Sequence, residues 1–216
     1  GTRFVNEYEW SNTDLAAKYL GSYELQIQKE ITSLSKKFKL NTFVDLGAAE
    51  GFHIISLLKK KYFKKGFAFE IQKKSRNLLK KNALKNGVLK KLKIYNEANF
   101  YSLKKNLLNI NKKKTLFLVD IEGNEYSLFD EDFCDNFAQS FFIIEDHDFN
   151  IKNKNLIKVF KRNINKKFNV KIINDVSKNP FIFEILKNFN DDEKYLMISE
   201  GRLKTMQWII LFPKKN

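Results

Sequence analysis

From residue 42 onward, short apolar runs alternate with stretches whose apolar positions recur every three or four residues. Runs at 42–46, 66–71, 92–96, 115–121 and 140–146 have the length and β-branched or aromatic content of buried strands. The segments 50–62, 73–86, 101–108 and 125–136 between them, and 151–168 after them, have helical periodicity. Such strand–helix alternation specifies a mostly parallel sheet with helices on both faces. Residues 170–176 and 205–213 read as two closing strands without a long helix between them, a hairpin-like finish with an antiparallel last strand. Seven strands in an α/β domain are therefore expected. Ahead of them, 14–38 reads as an amphipathic helix with Leu15, Tyr19, Leu25, Ile27, Ile31 and Leu34 as its apolar positions, and Gly21 as a place where it breaks. The expected division is an N-terminal helical extension, 1–41, and one domain, 42–216.

Composition supports a packed domain. Of 216 residues 43% are hydrophobic and 21 are Phe, too apolar for a disordered chain. The single cysteine, Cys134, excludes an internal disulfide framework or a multi-cysteine metal site, and fits a reducing, cytoplasmic setting. No apolar run approaches the ~18 residues of a membrane span. The chain opens on Gly1 and not on Met, which fits a segment of a longer protein. A net charge of +15 ordinarily suggests a polyanionic partner. Here four arginines leave 36 lysines, and the runs Lys59–Lys61, Lys112–Lys114 and Lys166–Lys167 fall at expected element ends. Nucleic-acid grooves favour Arg with interleaved aromatics, so the charge reads as a solvated surface and nucleic acid is not the expected partner.

The strongest local signal is Val44-Asp45-Leu46-Gly47-Ala48-Ala49-Glu50-Gly51, a strand running through acid-x-Gly-x-x-x-Gly into a helix. Glycines let the main chain turn tightly, and the free amides of a new helix face an anionic group. The spacing matches neither the dinucleotide fingerprint nor a phosphate-binding P-loop. A nucleoside ligand without pyrophosphate fits better. Glu70 ends the second strand about 20 residues on, where an acid accepts hydrogen bonds from ribose hydroxyls.

These segments resemble motifs I and II of class I S-adenosylmethionine-dependent methyltransferases. More narrowly, Phe69-Glu70 with Asn82 and Asn86, then Asp120-Ile121-Glu122-Gly123-Asn124-Glu125, then Ile144-Glu145-Asp146-His147, resemble the FkbM family. The chain departs from that pattern at Ile71, where a proline commonly stands, and at Leu118, where a lysine often does. The resemblance implies a Rossmann-like methyltransferase fold and S-adenosylmethionine as cofactor. It further implies O-methylation of a saccharide or other small-molecule acceptor. Gly47, Ala48 and Gly51 would then admit the methionine part, and Asp45 would anchor the loop or the amino group. Glu70 and Ile71 would lie at the ribose, with Asn96, Glu97 and Ala98 on the adenine side. Asp120 and Glu122 would face the sulfonium or orient an acceptor hydroxyl, unless the acids of this stretch simply open a helix.

His147 follows the fifth strand on the same edge and is a candidate general base. Alternatively, Asp120, Asp146 and His147 hold a hard divalent cation, although no metal belongs to the expected cofactor set. His53 reads as structural or as a wall of the cofactor site. Cys134 reads as core, and Asn179-Pro180-Phe181 as a turn. Two further classes compete with a saccharide O-methyltransferase: an RNA methyltransferase, supported by the lysine surplus, and a binding module without turnover.

Overall fold

The computed structural model describes residues 1–5, 14–202 and 204–214; residues 6–13 of the expected extension lie outside them. Among the described residues seven strands form one sheet: β1 (Thr42–Leu46), β2 (Lys65–Phe69), β3 (Leu92–Tyr95), β4 (Thr115–Val119), β5 (Phe141–Glu145), β6 (Phe168–Asn174) and β7 (Gln207–Pro213). Their order is β3-β2-β1-β4-β5-β7-β6. The pairs β1–β2, β1–β4, β2–β3 and β4–β5 are parallel, while β7 runs antiparallel to both β5 and β6.

Side-chain alternation divides the interior into two cores. Phe43, Ala68, Leu116, Leu118, Ile143 and Ile210 point to one face. There they meet α2 (Leu25–Phe38), α3 (Phe52–Lys59) and α4 (Lys73–Lys85), with Ile27, Ile31 and Leu34 of α2 in the same cluster. Val44, Phe69, Phe117, Val119, Phe142 and Ile144 point to the other face. They pack on α5 (Phe100–Asn106), α6 (Glu125–Leu128), α7 (Glu131–Asn136) and α8 (Lys154–Lys167). Burial on both faces explains why these strands read as continuous apolar runs.

Local chemistry accounts for the departures from the expected elements. The helix expected over 14–38 is two: α1 (Leu15–Leu20) ends at Gly21, which takes φ +74°. The helix expected over 125–136 is also two, because Asp130 adopts extended backbone and its side chain accepts from Phe133 N, starting α7 afresh. The helix expected from 151 begins only at Lys154, where Asn153 caps it. Between β6 and β7 lie a turn at Pro180–Ile182 and a short helix, α9 (Asp191–Ile198), opened by a reciprocal Asn190–Glu193 capping box. The lysine runs stand at the end of α3, ahead of β4 and in the last turn of α8. Among the described residues no helix is long and apolar enough to cross a membrane.

Candidate active site

A cavity of about 750 Å³ opens at the carboxyl ends of β1 to β4. Open parallel sheets bind ligands along this edge. Its walls follow the strand order. The segment after β3 supplies Asn96, Glu97 and Ala98, that after β2 Glu70 and Ile71, and that after β1 Gly47 and Ala49. On the far side stand Asp120 and Glu122 after β4, with Asp130 between α6 and α7. Asp14 and Lys18, at the start of α1 and within it, and Tyr23, in the turn before α2, close the remaining side.

Glu70 ties the near walls together. One carboxylate oxygen accepts from Ala49 N at 2.9 Å and the other from Gln72 N at 2.8 Å. Arg76 fixes the neighbouring segments by donating to the carbonyls of Glu70 and Ile71 and to Asn96 Oδ1, all within 2.8 Å.

The glycines carry packing constraints of their own. Gly47 has φ +85°, and a β-carbon on it would lie 1.7 Å from the carbonyl oxygen of Asp120. Its bareness admits the end of β4 where the residue also lines the cavity. A β-carbon on Gly51, at φ +90°, would strike Leu79 and Ile55, so this glycine lets α3 and α4 pack. Asp45, Ala48 and Gly51 do not line the cavity. Asp45 is buried, accepts from Ile54 N, and leaves Oδ2 unpartnered; burial is the main cause that pushes its pKa up to about 7. This contact ties Asp45 to the first turn of α3.

On the acceptor side, alternation sends Glu145 and His147 one way and Asp146 the other. Asp146 accepts from the Tyr126 hydroxyl and from Asp148 N, and so belongs to the opposite face. The cation set Asp120–Asp146–His147 is therefore not assembled. Glu122 stands in the place expected for Asp146. His147 is buried behind the wall and does not line the cavity. Its Nδ1 lies 3.1 Å from Glu125 Oε1. Its Nε2 lies 3.7 Å from each of Asp120 Oδ1, Glu122 Oε2 and Glu145 Oε2. Burial pulls the His147 pKa down, but the Glu125 hydrogen bond and the surrounding carboxylates outweigh it and hold it above the ordinary value. Burial, reinforced by Glu145, Glu24 and Glu122, pushes Asp120 well above the carboxylate range. Glu122 takes φ +56°, with Gly123 N beside it donating to Glu125.

A network that sequence spacing did not reveal backs this group. Arg202, from the segment between α9 and β7, donates to Glu24 at 2.6 Å, to Glu200 at 2.7 Å and to Glu145. Lys178 also pairs with Glu200. Glu24 meets His53 Nε2 at 2.8 Å, which makes His53 structural. Burial raises the Glu24 pKa, but His53 and Arg202 overcome it and bring it to about 2. The one available signal was compositional: an arginine in so lysine-rich a chain. Cys134 is buried, and desolvation pushes its thiol up to about 12, as suits a core residue.

No protein-family model and no curated protein sequence matches the chain. Solved structures do resemble it. An O-methyltransferase from Bacillus cereus in complex with SAH aligns at TM-score 0.63 and 12% identity over 97% of this chain and 94% of that one. A candidate O-methyltransferase from Klebsiella pneumoniae aligns at TM-score 0.62 and 8% identity, over 97% and 93%. The M1A22 tRNA methyltransferase of B. subtilis aligns at TM-score 0.50 and 9% identity, over 85% and 65%. At these identities the likeness establishes the architecture: the chain has the Rossmann-like, seven-stranded methyltransferase fold with an antiparallel last strand.

Proposed function

We propose that the protein is an S-adenosylmethionine-dependent methyltransferase that methylates a hydroxyl of a small acceptor, of saccharide class. One observation carries this reading: a single cavity joins Glu70, at the end of β2, to the carboxylates of Asp120 and Glu122 beyond β4. Its volume is of the order that encloses a nucleoside-sized ligand. The orphaned Asp120 Oδ1 and the acid-rich wall suit a cationic group. When bound, S-adenosylmethionine supplies a methyl group carried on a positively charged sulfur.

The chain's own residues would divide the work. Glu70 keeps lone pairs free beyond its two loop contacts and accepts from ribose hydroxyls. Ile71, Asn96, Glu97 and Ala98 wall the adenine side. Gly47 and Ala49 border the methionine side, while Asp45, Ala48 and Gly51 shape that loop from behind. Asp120 and Glu122 accept a hydrogen bond from the acceptor hydroxyl and turn its lone pair toward the methyl group. His147 acts through them as a positioning residue. The hydroxyl and saccharide assignments draw on the FkbM resemblance of Asp120–Glu125 and Glu145–His147.

Calorimetric titration with S-adenosylhomocysteine tests the cofactor half. The unmodified protein should bind one equivalent, and Ala98→Trp, which fills the adenine side without touching the backbone turns, should weaken binding at least 10-fold. Glu70→Ala should cost about 1–3 kcal/mol in binding. Absence of binding by the unmodified protein would refute the reading.

A further inference from the structure

We propose that residues 1–5 are a strap that holds the glycine turn after β1 in its ligand-binding shape, with Asn82 and Asn86 as the positioning residues that fasten it. The turn is strained: Gly47, Ala49 and Gly51 take φ +85°, +44° and +90°. Ala49 carries a β-carbon, and a residue of that kind keeps such a conformation only where its surroundings over-determine it. Two side chains from outside the turn do so. Glu70 accepts from Ala49 N, and Asn82 Nδ2 donates to the carbonyl of Glu50 at 3.0 Å. Glu70 lines the cavity, whereas Asn82, within α4, is buried and does not.

Asn82 is held in turn by the strap. Its Oδ1 accepts from Val5 N at 2.7 Å. A side-chain amide accepts through its oxygen and donates through its nitrogen, so Val5 N on one side sets the nitrogen toward Glu50 on the other. One buried amide thereby joins residues 1–5 to the turn. Release of Val5 strands that oxygen without a partner and frees the amide to rotate off Glu50.

The rest of the strap is gripped by its main chain. One helical turn beyond Asn82, Asn86 accepts from Arg3 N at 2.9 Å and donates to Arg3 O at 2.6 Å. Lys85 donates to Phe4 O at 2.8 Å, and Lys59 to Gly1 O at 2.6 Å. Phe4 adds an apolar anchor, its ring stacked on Phe52, the residue after Gly51, at 5.9 Å between centroids. Phe4, Val5, Glu50, Phe52 and Asn82 leave a gap of only about 20 Å³ between them and α1. Lys18 of α1, which lines the cavity, donates to the Glu50 carboxylate at 2.7 Å. Strap, turn and cavity wall therefore meet at Glu50. A ligand lying against Gly47 and Ala49 finds the turn preformed only while the strap is fastened, and by linkage it fastens the strap in return. That this ligand is S-adenosylmethionine rests on the methyltransferase reading.

The two directions of this coupling can be measured separately on the full chain. Arg3 is exposed while its backbone is clamped, so early tryptic cleavage of the Arg3–Phe4 bond, followed by mass spectrometry, reports how often the strap opens. Asn86→Leu and Phe4→Ala release the strap from two sides, and neither residue touches the cavity. Both should speed this cleavage and weaken S-adenosylhomocysteine binding in calorimetry by at least about 5-fold. In the unmodified chain saturating S-adenosylhomocysteine should slow the cleavage by a matching factor. A purely structural latch would lower the melting temperature of both variants and leave ligand affinity where it was. Equal affinity in all three proteins, or cleavage at Arg3 indifferent to S-adenosylhomocysteine, would overturn the strap alone. Absence of binding by the unmodified chain would overturn the cofactor reading and this coupling with it.

Discussion

Asp45 shows how one side chain can be placed by the fold at an energetic cost. It sits inside β1, where burial raises its pKa to about 7 from 3.8, against the opposing charge of His53 and a hydrogen bond from Ile54 N. A carboxyl whose folded pKa exceeds its unfolded one favours the folded state at low pH. That contribution is complete below about pH 4 and is lost as pH rises through about 7. Asp45→Asn removes the titration and keeps an oxygen for Ile54 N. The variant should therefore gain in melting temperature relative to the parent as the buffer moves from pH 5 to pH 8. A difference that does not change between those two pH values would show that burial does not raise the Asp45 pKa. The same residue shows where reading from sequence stops. Its position before the glycine turn was evident, but whether it faced ligand or loop depended on how α3 packs. Gly47 carries the same lesson: the glycine was recognised, while its reason, the carbonyl of Asp120 from a strand some 70 residues on, belongs to the tertiary structure.

Secondary elements were readable where pattern and chemistry agree. The strands are short apolar or alternating runs bounded by polar residues, so all seven could be seen, as could the break at Gly21. The helix over 125–136 misled because Tyr126, Phe129, Phe133 and Phe137 keep a helical spacing straight through the interruption at Asp130, and the three phenylalanines pack in a row while Tyr126 meets Phe160. A cap acts on a single backbone amide, which hydrophobic periodicity does not register. The Arg202 clasp escaped detection altogether, since it joins residues 178 positions apart. It binds the segment between α9 and β7 to the start of α2 and the end of β5. Arg202 is largely buried, at 19% exposure, and so are the carboxylates of Glu24 and Glu145. Arg202→Leu leaves Glu145 without its arginine and Glu24 with His53 alone, a change that costs about 3–5 kcal/mol for a broken buried pair. Urea unfolding at neutral pH should register a loss of that order, and a loss below about 1 kcal/mol would mean that the clasp is ornamental.

At the scale of the molecule, charge is divided by location. The chain carries +15, yet the cavity wall holds Asp14, Glu70, Glu97, Asp120, Glu122 and Asp130 against Lys18, which is itself paired with Asp14 and Glu50. Lysines line the ends of helices and strands, where they solvate the surface and complement helix carboxyl termini. A polyanion would thus be drawn to the outside of the protein by its long-range field and repelled at the mouth of the cavity. Binding of that kind is counterion release without recognition, and it weakens steeply and linearly on a logarithmic salt scale. Filter binding with unrelated RNAs should accordingly give similar affinities for each sequence at low salt and lose about 10³-fold or more between 50 and 200 mM salt. Competing RNA should leave S-adenosylhomocysteine affinity unchanged, because the two occupy regions of opposite sign. Tight binding to one structured RNA that survives 200 mM salt would reverse this conclusion and make RNA the acceptor, since only contacts inside the acidic cavity or shape recognition over a second surface give affinity that salt does not remove.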